Sequence, residues 1–266
     1  MVGVLFKVDD SHFKNNLQSA NFNLLAEVHD SDMRFGVVVF PGTWSDRDFG
    51  IALGEVLEQD VEYVWHKDRD LSRYDCIILP GGFAYGDYLR TGAIASLSPV
   101  MESVVTFAAA GGLVFGSCNG FQILCETGLL PGALLRNDHL EFRCQWNHLL
   151  VENTDTLFTK ACEPSQLLYI PVSHGEGRYY ASPEDLRELE MNDQVVLRYC
   201  NAEGVPDPES NPNGTFDNIA GIINRKGNVM GMMPHPERAC MPILGGDHGL
   251  NIFQSIIGTS SIGTSR

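Results

Sequence analysis

The chain has 266 residues, 44% of them hydrophobic and 20% charged, enough to bury a sizeable core in one large or two small domains. Its 34 acidic residues against 18 basic ones give a net charge of −16. That balance argues against a phosphate-backbone partner, so nucleic acid is excluded, and the acidity reads as solubility. The seven cysteines are scattered without a C-x-x-C pair, which fits a reducing, cytoplasmic setting, and no zinc spacing is present. No apolar run is long enough for a spanning helix, so no membrane is expected.

Residues 1–32 have mixed polarity and no sustained period. They read as an extension of unknown role, or as a start placed upstream of Met33. From residue 33 to 258 the pattern suggests one domain, followed by a short tail at 259–266.

Phe35–Phe40 is a buried strand that leads through Pro41-Gly42 to Ser45, which is expected to cap a helix carrying Phe49, Leu53, Val56 and Leu57 on one face. Val61–Trp65 and Cys76–Leu79 are further strands. A helix opens at Ser98-Pro99 and stops at Gly111-Gly112, and Leu113–Phe115 is a third buried strand. A helix over Asn119–Thr127 follows, closed by Gly128. The second half reads as strands at Leu140–Phe142, His148–Val151, Leu168–Val172, Val195–Tyr199, Ile219–Ile223 and Val229–Met232. Short helices are expected at Glu184–Glu190 and Gly249–Ile256, and a long loop at 201–218. Strand–helix alternation predicts an α/β fold, a mainly parallel sheet with helices on both faces and a strand-rich second half. In such sheets ligands bind at the carboxyl ends of strands.

Three stretches carry chemistry. In Gly116-Ser117-Cys118-Asn119-Gly120, small residues two before and two after a cysteine allow a sharp strand-to-helix turn with the thiol held above the sheet. Cys118 then lies at a helix N-terminus, where the dipole favours thiolate and free N–H groups can receive an oxyanion. Alone, this stretch fits a buried structural cysteine equally well. In Met233-Pro234-His235-Pro236-Glu237, a rigid turn offers an imidazole and an orienting carboxylate two residues apart, which is what a thiol nucleophile needs. In Pro80-Gly81-Gly82, glycines at a strand end bring backbone N–H groups close to a ligand.

In this order and spacing, Pro80-Gly81-Gly82, Gly116-x-Cys118-x-Gly120-x-Gln122 and His235-Pro236-Glu237 resemble a class I (triad-type) glutamine amidotransferase. Asp46-Arg47-Asp48, Gly82-Phe83-Ala84-Tyr85-Gly86-Asp87, His174-Gly175-Glu176-Gly177-Arg178-Tyr179 and Asn211-Pro212-Asn213-Gly214 narrow the likeness. With them the chain resembles the glutaminase subunits of phosphoribosylformylglycinamidine synthase, a purine-biosynthesis enzyme, from Met33 to about Ile257.

The resemblance implies a flavodoxin-like sheet, Cys118 as nucleophile, His235 as acid and base, Glu237 as its partner, and an oxyanion hole from the Gly82 and Asn119 N–H groups. It makes Gln122 a contact to bound glutamine, and His174, Glu176 and Arg178 part of an active-site or interface loop. It also implies a large synthetase subunit and a small accessory subunit as partners, with ATP and magnesium used by the synthetase and no cofactor or metal in this chain. The chain departs from the family pattern at Thr43-Trp44-Ser45 and at Ser117, where an aliphatic residue is commoner. A free-standing cysteine hydrolase and a non-catalytic regulatory subunit are the competing readings. The His174–Tyr179 and Asn211–Gly214 segments oppose the first, and the intact Cys118, His235 and Glu237 oppose the second.

Overall fold

A computed structural model describes residues 33–259; the expected extension at 1–32 and the end of the expected tail lie outside them. The elements are β1 (Arg34–Val39), α1 (Asp46–Phe49, continuing as a π-helical Gly50–Val56), β2 (Asp60–Trp65), β3 (Cys76–Leu79) and α2 (Pro99–Ala109). Next come β4 (Leu113–Ser117), α3 (Asn119–Glu126), β5 (Ala133–Leu135), β6 (Arg143–Val151), β7 (Leu167–His174), β8 (Arg178–Tyr180) and α4 (Pro183–Met191). β9 (Val195–Cys200), β10 (Ile219–Ile223), β11 (Val229–Met232) and α5 (Leu250–Ile257) complete the chain.

Nine strands form one sheet in the order β2-β1-β3-β4-β11-β10-β9-β6-β7. The first five are mutually parallel, and every pairing from β11 outward is antiparallel. The sheet is therefore mixed, and the strand-rich second half of the sequence is its antiparallel wing. Alternate residues serve opposite faces, as the strand pleat requires. Phe35, Val37, Ile78 and Phe115 pack with Phe49 and Phe253 from α1 and α5. Val38, Ile77, Leu79 and Val114 pack with Val104, Phe121 and Leu189 from α2, α3 and α4. Phe49, Phe115 and Phe253 meet edge-on, with centroids 5.8 to 6.2 Å apart, an arrangement that suits the ring quadrupoles.

The helix boundaries follow local chemistry. α2 starts with Ser98 at the cap and Pro99 at its first position. α4 starts at Ser182, whose Oγ accepts the Asp185 N–H at 3.1 Å. α1 differs from expectation. Ser45 stands at the cap position, but its Oγ accepts the Gly81 N–H at 2.8 Å instead of capping the helix. The strand expected at Leu140–Phe142 is also absent. Those residues form a turn in which Leu140 has φ +60° and donates its N–H to the Asn137 carbonyl, before β6 begins at Arg143. β5 and β8 pair only with each other, as a separate two-stranded sheet. Among the described residues, no helix is long and apolar enough to cross a membrane.

Candidate active site

β3, β4 and β11 are neighbours in the parallel half of the sheet. Their carboxyl ends lead into Pro80-Gly81-Gly82, Cys118 and Pro234-His235 respectively. The register fixes the level of all three, because Leu79 pairs with Gly116 and Met232 with Ser117. Motifs spread over more than a hundred residues of sequence thus meet at one end of the sheet.

Cys118 joins β4 to α3 with φ +49° and ψ −108°, a conformation that costs a non-glycine residue about 1–3 kcal/mol and persists only where its surroundings hold it. Its N–H is tied to the Met232 carbonyl at 2.8 Å. The flanking glycines are required by contact. A Cβ on Gly116 would lie 2.7 Å from the Gly120 carbonyl carbon, and one on Gly120 only 1.9 Å from the Leu79 carbonyl oxygen. Gly120→Ala is therefore expected to displace α3 from β3 and to lower stability by more than about 3 kcal/mol, since backbone opposes backbone. Urea denaturation against the parent protein measures this, and a loss under about 1 kcal/mol would contradict the packing described.

His235 follows β11, with its backbone N–H bonded to the Pro171 carbonyl at 2.8 Å. Its Nδ1 lies 2.6 Å from Glu237 Oε1, and both side chains are fully enclosed. Burial lowers the proton affinity of this imidazole, but the charges of Glu237 and Cys118 outweigh it and raise His235 above the ordinary histidine range. Ser117 Oγ donates to the same Glu237 oxygen at 3.4 Å, so the residue that departs from the aliphatic pattern touches the His235–Glu237 pair. Cys118 Sγ makes its hydrogen bond to the Ser173 carbonyl at 3.6 Å, and His235 Nε2 has no hydrogen-bond partner among the described residues. The turn is braced from α1 by an Asp48–Arg238 ion pair at 3.1 Å, which gives the Asp46-Arg47-Asp48 motif a role at the site.

The Gly81-Gly82 loop lies directly against this pair. A Cβ on Gly81 would be 2.6 Å from His235 Cε1 and 3.3 Å from Cys118 Cβ. The loop pairs with 42–44 through Trp44 N–H to the Gly81 carbonyl and Phe83 N–H to the Gly42 carbonyl, a pattern that leaves the Gly82 N–H outside the pairing. Asn119 connects the two walls, because its Oδ1 accepts the Ala84 N–H at 3.1 Å and its Nδ2 donates to Gln122 Oε1 at 2.8 Å. Gln122 in turn donates from Nε2 to the Glu176 carbonyl at 2.6 Å. One N–H and one lone pair of the Gln122 amide remain after these bonds.

The remaining loop residues divide. Glu176 lies at the rim, with its carboxylate 3.3 Å from Thr91 Oγ1 and 3.5 Å from Arg136 Nε. His174 is buried, between Asn137 and Asn213. Arg178 sits on β8, and its buried Nε has no hydrogen-bond partner among the described residues. Sequence reasoning passed over three contributors. The Ser173 carbonyl contact is a backbone feature with no residue signal, and Ser45 has the composition of a helix cap. Asp87, at the end of the Gly82–Asp87 motif, is pushed up to about 6 by burial and by the neighbouring Glu176 charge.

A nucleophile at a strained elbow, a carboxylate-paired imidazole and a glycine loop can together support acyl transfer through a covalent thioester. Residues 32–245 match the family of CobB/CobQ-like glutamine amidotransferase domains. The phosphoribosylformylglycinamidine synthase subunit PurQ of Moorella thermoacetica is 57% identical over 225 residues, which is 85% of this chain and 95% of that one. The protein of the same name from Salinibacter ruber is 55% identical over 229 residues, 86% of this chain and 97% of its own. Among solved structures, a chain in PurLQS from Thermotoga maritima is 44% identical, with a TM-score of 0.76, and the match covers 86% of this chain and all of that one.

Proposed function

The chain belongs to the glutamine amidotransferase family, within the group of phosphoribosylformylglycinamidine synthase glutaminase subunits, and on that premise we propose how its residues do this work. The observation that carries the proposal is the meeting, at three adjacent strand ends, of Cys118 at φ +49° with the His235–Glu237 pair at 2.6 Å.

Cys118 attacks the side-chain carboxamide carbon of glutamine as a thiolate, with the proton held by His235. The negative charge that develops on the amide oxygen is received by the Gly82 and Asn119 N–H groups. His235 then passes its proton to the amide nitrogen, the C–N bond breaks, and ammonia leaves a γ-glutamyl thioester on Cys118. A water molecule gives a proton to His235 Nε2 and attacks the thioester, and glutamate is released as the departing Cys118 sulfur takes that proton back from His235. Glu237 keeps the imidazole in the orientation and tautomer this exchange needs. Gln122 meets the bound glutamine with the donor and acceptor that its two structural bonds leave over.

The ammonia passes to a large synthetase subunit, as suits a relative assembled in PurLQS. There it replaces the amide oxygen of formylglycinamide ribonucleotide, which ATP and magnesium activate on the partner. A small accessory subunit completes the complex. Trp44 and Phe83 are exposed and meet edge-on beside the glycine loop, which suits a protein partner at the mouth of the site. Seven unpaired cysteines suit a cytoplasmic setting.

A diazoketone analogue of glutamine tests this assignment. It is expected to add once, at Cys118, with glutamine protecting; peptide mass mapping locates the adduct, and absence of labelling or labelling that glutamine does not slow contradicts the reading. Gly82→Ala places a Cβ 2.6 Å from the Trp44 nitrogen at a φ of +148° and displaces the oxyanion donor. It is expected to lower kcat by about 10²- to 10³-fold with little change in KM. Steady-state kinetics that find KM alone affected would remove Gly82 from the oxyanion hole.

A further inference from the structure

β7 reaches the catalytic centre twice through its backbone. The Pro171 carbonyl accepts the His235 N–H at 2.8 Å, and the Ser173 carbonyl accepts from Cys118 Sγ at 3.6 Å. The position of the last residues of this strand therefore sets both nucleophile and base. β7 ends at His174, whose imidazole is 3% exposed and engaged on both nitrogens.

Asn137 clamps the strand end. Its Nδ2 donates to the His174 carbonyl at 3.0 Å and to the Glu141 carbonyl at 2.9 Å, while its Oδ1 accepts the Gly177 N–H at 3.0 Å. That same Oδ1 lies 3.2 Å from His174 Nδ1, which must then be the protonated nitrogen. On the other side, Asn213 Nδ2 donates to the Gly177 carbonyl at 2.8 Å and lies 3.4 Å from His174 Nε2, which accepts. A single neutral tautomer satisfies both asparagines. Burial, with the nearby His235 charge adding to it, pulls His174 down to about 3, so it stays uncharged beside the catalytic imidazole. Gly177 packs directly on the ring, where a Cβ would come within 2.3 Å of Cε1.

We propose that His174 is a positioning residue for glutamine hydrolysis. As a neutral donor and acceptor between Asn137 and Asn213, it fixes the end of β7 and thereby the Pro171 and Ser173 carbonyls against which His235 and Cys118 are set. The proposal rests on the Cys118–His235 assignment above. Asn213 belongs to the long loop between β9 and β10, so a displacement of that loop reaches the nucleophile through one side chain.

The test is inactivation by the diazoketone analogue of glutamine, resolved into a maximal rate and an inhibitor constant. It is run on the intact chain and on His174→Leu, His174→Gln and Asn213→Asp. Glutamine at 174 retains one donor and one acceptor, leucine neither, and aspartate at 213 turns an acceptor toward Nε2. His174→Leu is expected to slow the maximal rate by about tenfold or more with the inhibitor constant within about twofold, as misplacement of a reacting group does. His174→Gln should recover most of that rate, and Asn213→Asp should resemble His174→Leu. Circular dichroism reports folding; if His174→Leu does not fold, the contrast between His174→Gln and Asn213→Asp decides. The proposal is overturned by a folded His174→Leu that reacts at the parent rate, by a His174→Gln as slow as leucine, or by a change confined to the inhibitor constant. A parent chain that is not labelled at Cys118 would instead remove the catalytic assignment on which the proposal stands.

Discussion

Replacing Cys118 with serine is expected to lower glutamine hydrolysis by about 10⁴-fold or more while leaving the melting temperature close to that of the parent. The elbow imposes φ +49° on whichever residue occupies position 118, and serine meets that constraint with a smaller side chain, so the fold is not challenged. The chemistry is. In the proposed mechanism the Cys118 sulfur attacks as it gives up its proton, and the buried His235, its proton affinity raised by Glu237 and Cys118 against the effect of burial, is suited to hold that proton. An alcohol surrenders its proton far less readily, and the Glu237–His235 pair has no way to compensate. Synthesis driven by added ammonia in the assembled complex should survive the substitution, because it bypasses Cys118. Steady-state assays with glutamine and with ammonium chloride, run in parallel, check both halves. A serine variant that retains glutamine hydrolysis within about tenfold of the parent would remove Cys118 from the nucleophile's position.

The second large effect is expected at Glu237. Its Oε1 is 2.6 Å from His235 Nδ1, and its other oxygen is buried without a hydrogen-bond partner among the described residues. An enclosed carboxylate with one unpaired oxygen is costly, and its compensation is the charge it stabilises on His235. Glu237→Gln keeps the shape and removes the charge, and its amide can present N–H to Nδ1 and select the wrong tautomer. A loss of about 10⁴-fold in kcat is expected, the size seen when the orienting carboxylate of a triad is made neutral.

The same substitution has a signature in stability. The His235 proton is bound more tightly in the folded protein, with a value of about 10, than in the unfolded chain at 6.5. Protonated His235 therefore stabilises the fold fully below pH 6.5, and this contribution is lost as pH rises toward 10. In Glu237→Gln burial acts on the imidazole without the opposing Glu237 charge. The gap in melting temperature between parent and variant should then be full at pH 6.5 and below and narrow toward pH 10. Scanning calorimetry across that range checks the sign, and a gap that widens with pH would contradict it.

What could be read from the sequence was local. The elbow is visible because the two glycines that permit it lie within two residues of Cys118, and both are required by backbone contacts under 3 Å. The turn holding His235 and Glu237 is visible for the same reason, as is the helix that begins at Ser98-Pro99, whereas the helix expected from Glu184 starts one residue earlier, at Pro183. What could not be read depends on partners distant in the chain. β5 and β8 are three residues each and exist through pairing across more than forty residues. Hydropathy marks the strands of the second half but carries no sign of their direction, so the antiparallel wing emerges only from the pairing. Ser45 has the composition of a helix cap and serves the glycine loop, because Gly81 comes within reach of its hydroxyl. His174 was legible as part of a motif. Its place behind Cys118 depends on Asn137 and Asn213, thirty-seven and thirty-nine residues away on opposite sides.

The site is proposed to produce ammonia for a synthetase. Glutamine hydrolysis by the purified chain is therefore the deciding measurement. It is made alone and then with the candidate synthetase, formylglycinamide ribonucleotide and ATP, beside Cys118→Ala. Hydrolysis stimulated by the loaded synthetase and abolished in the variant is expected. Hydrolysis that ignores the synthetase, or that survives loss of Cys118, would contradict it.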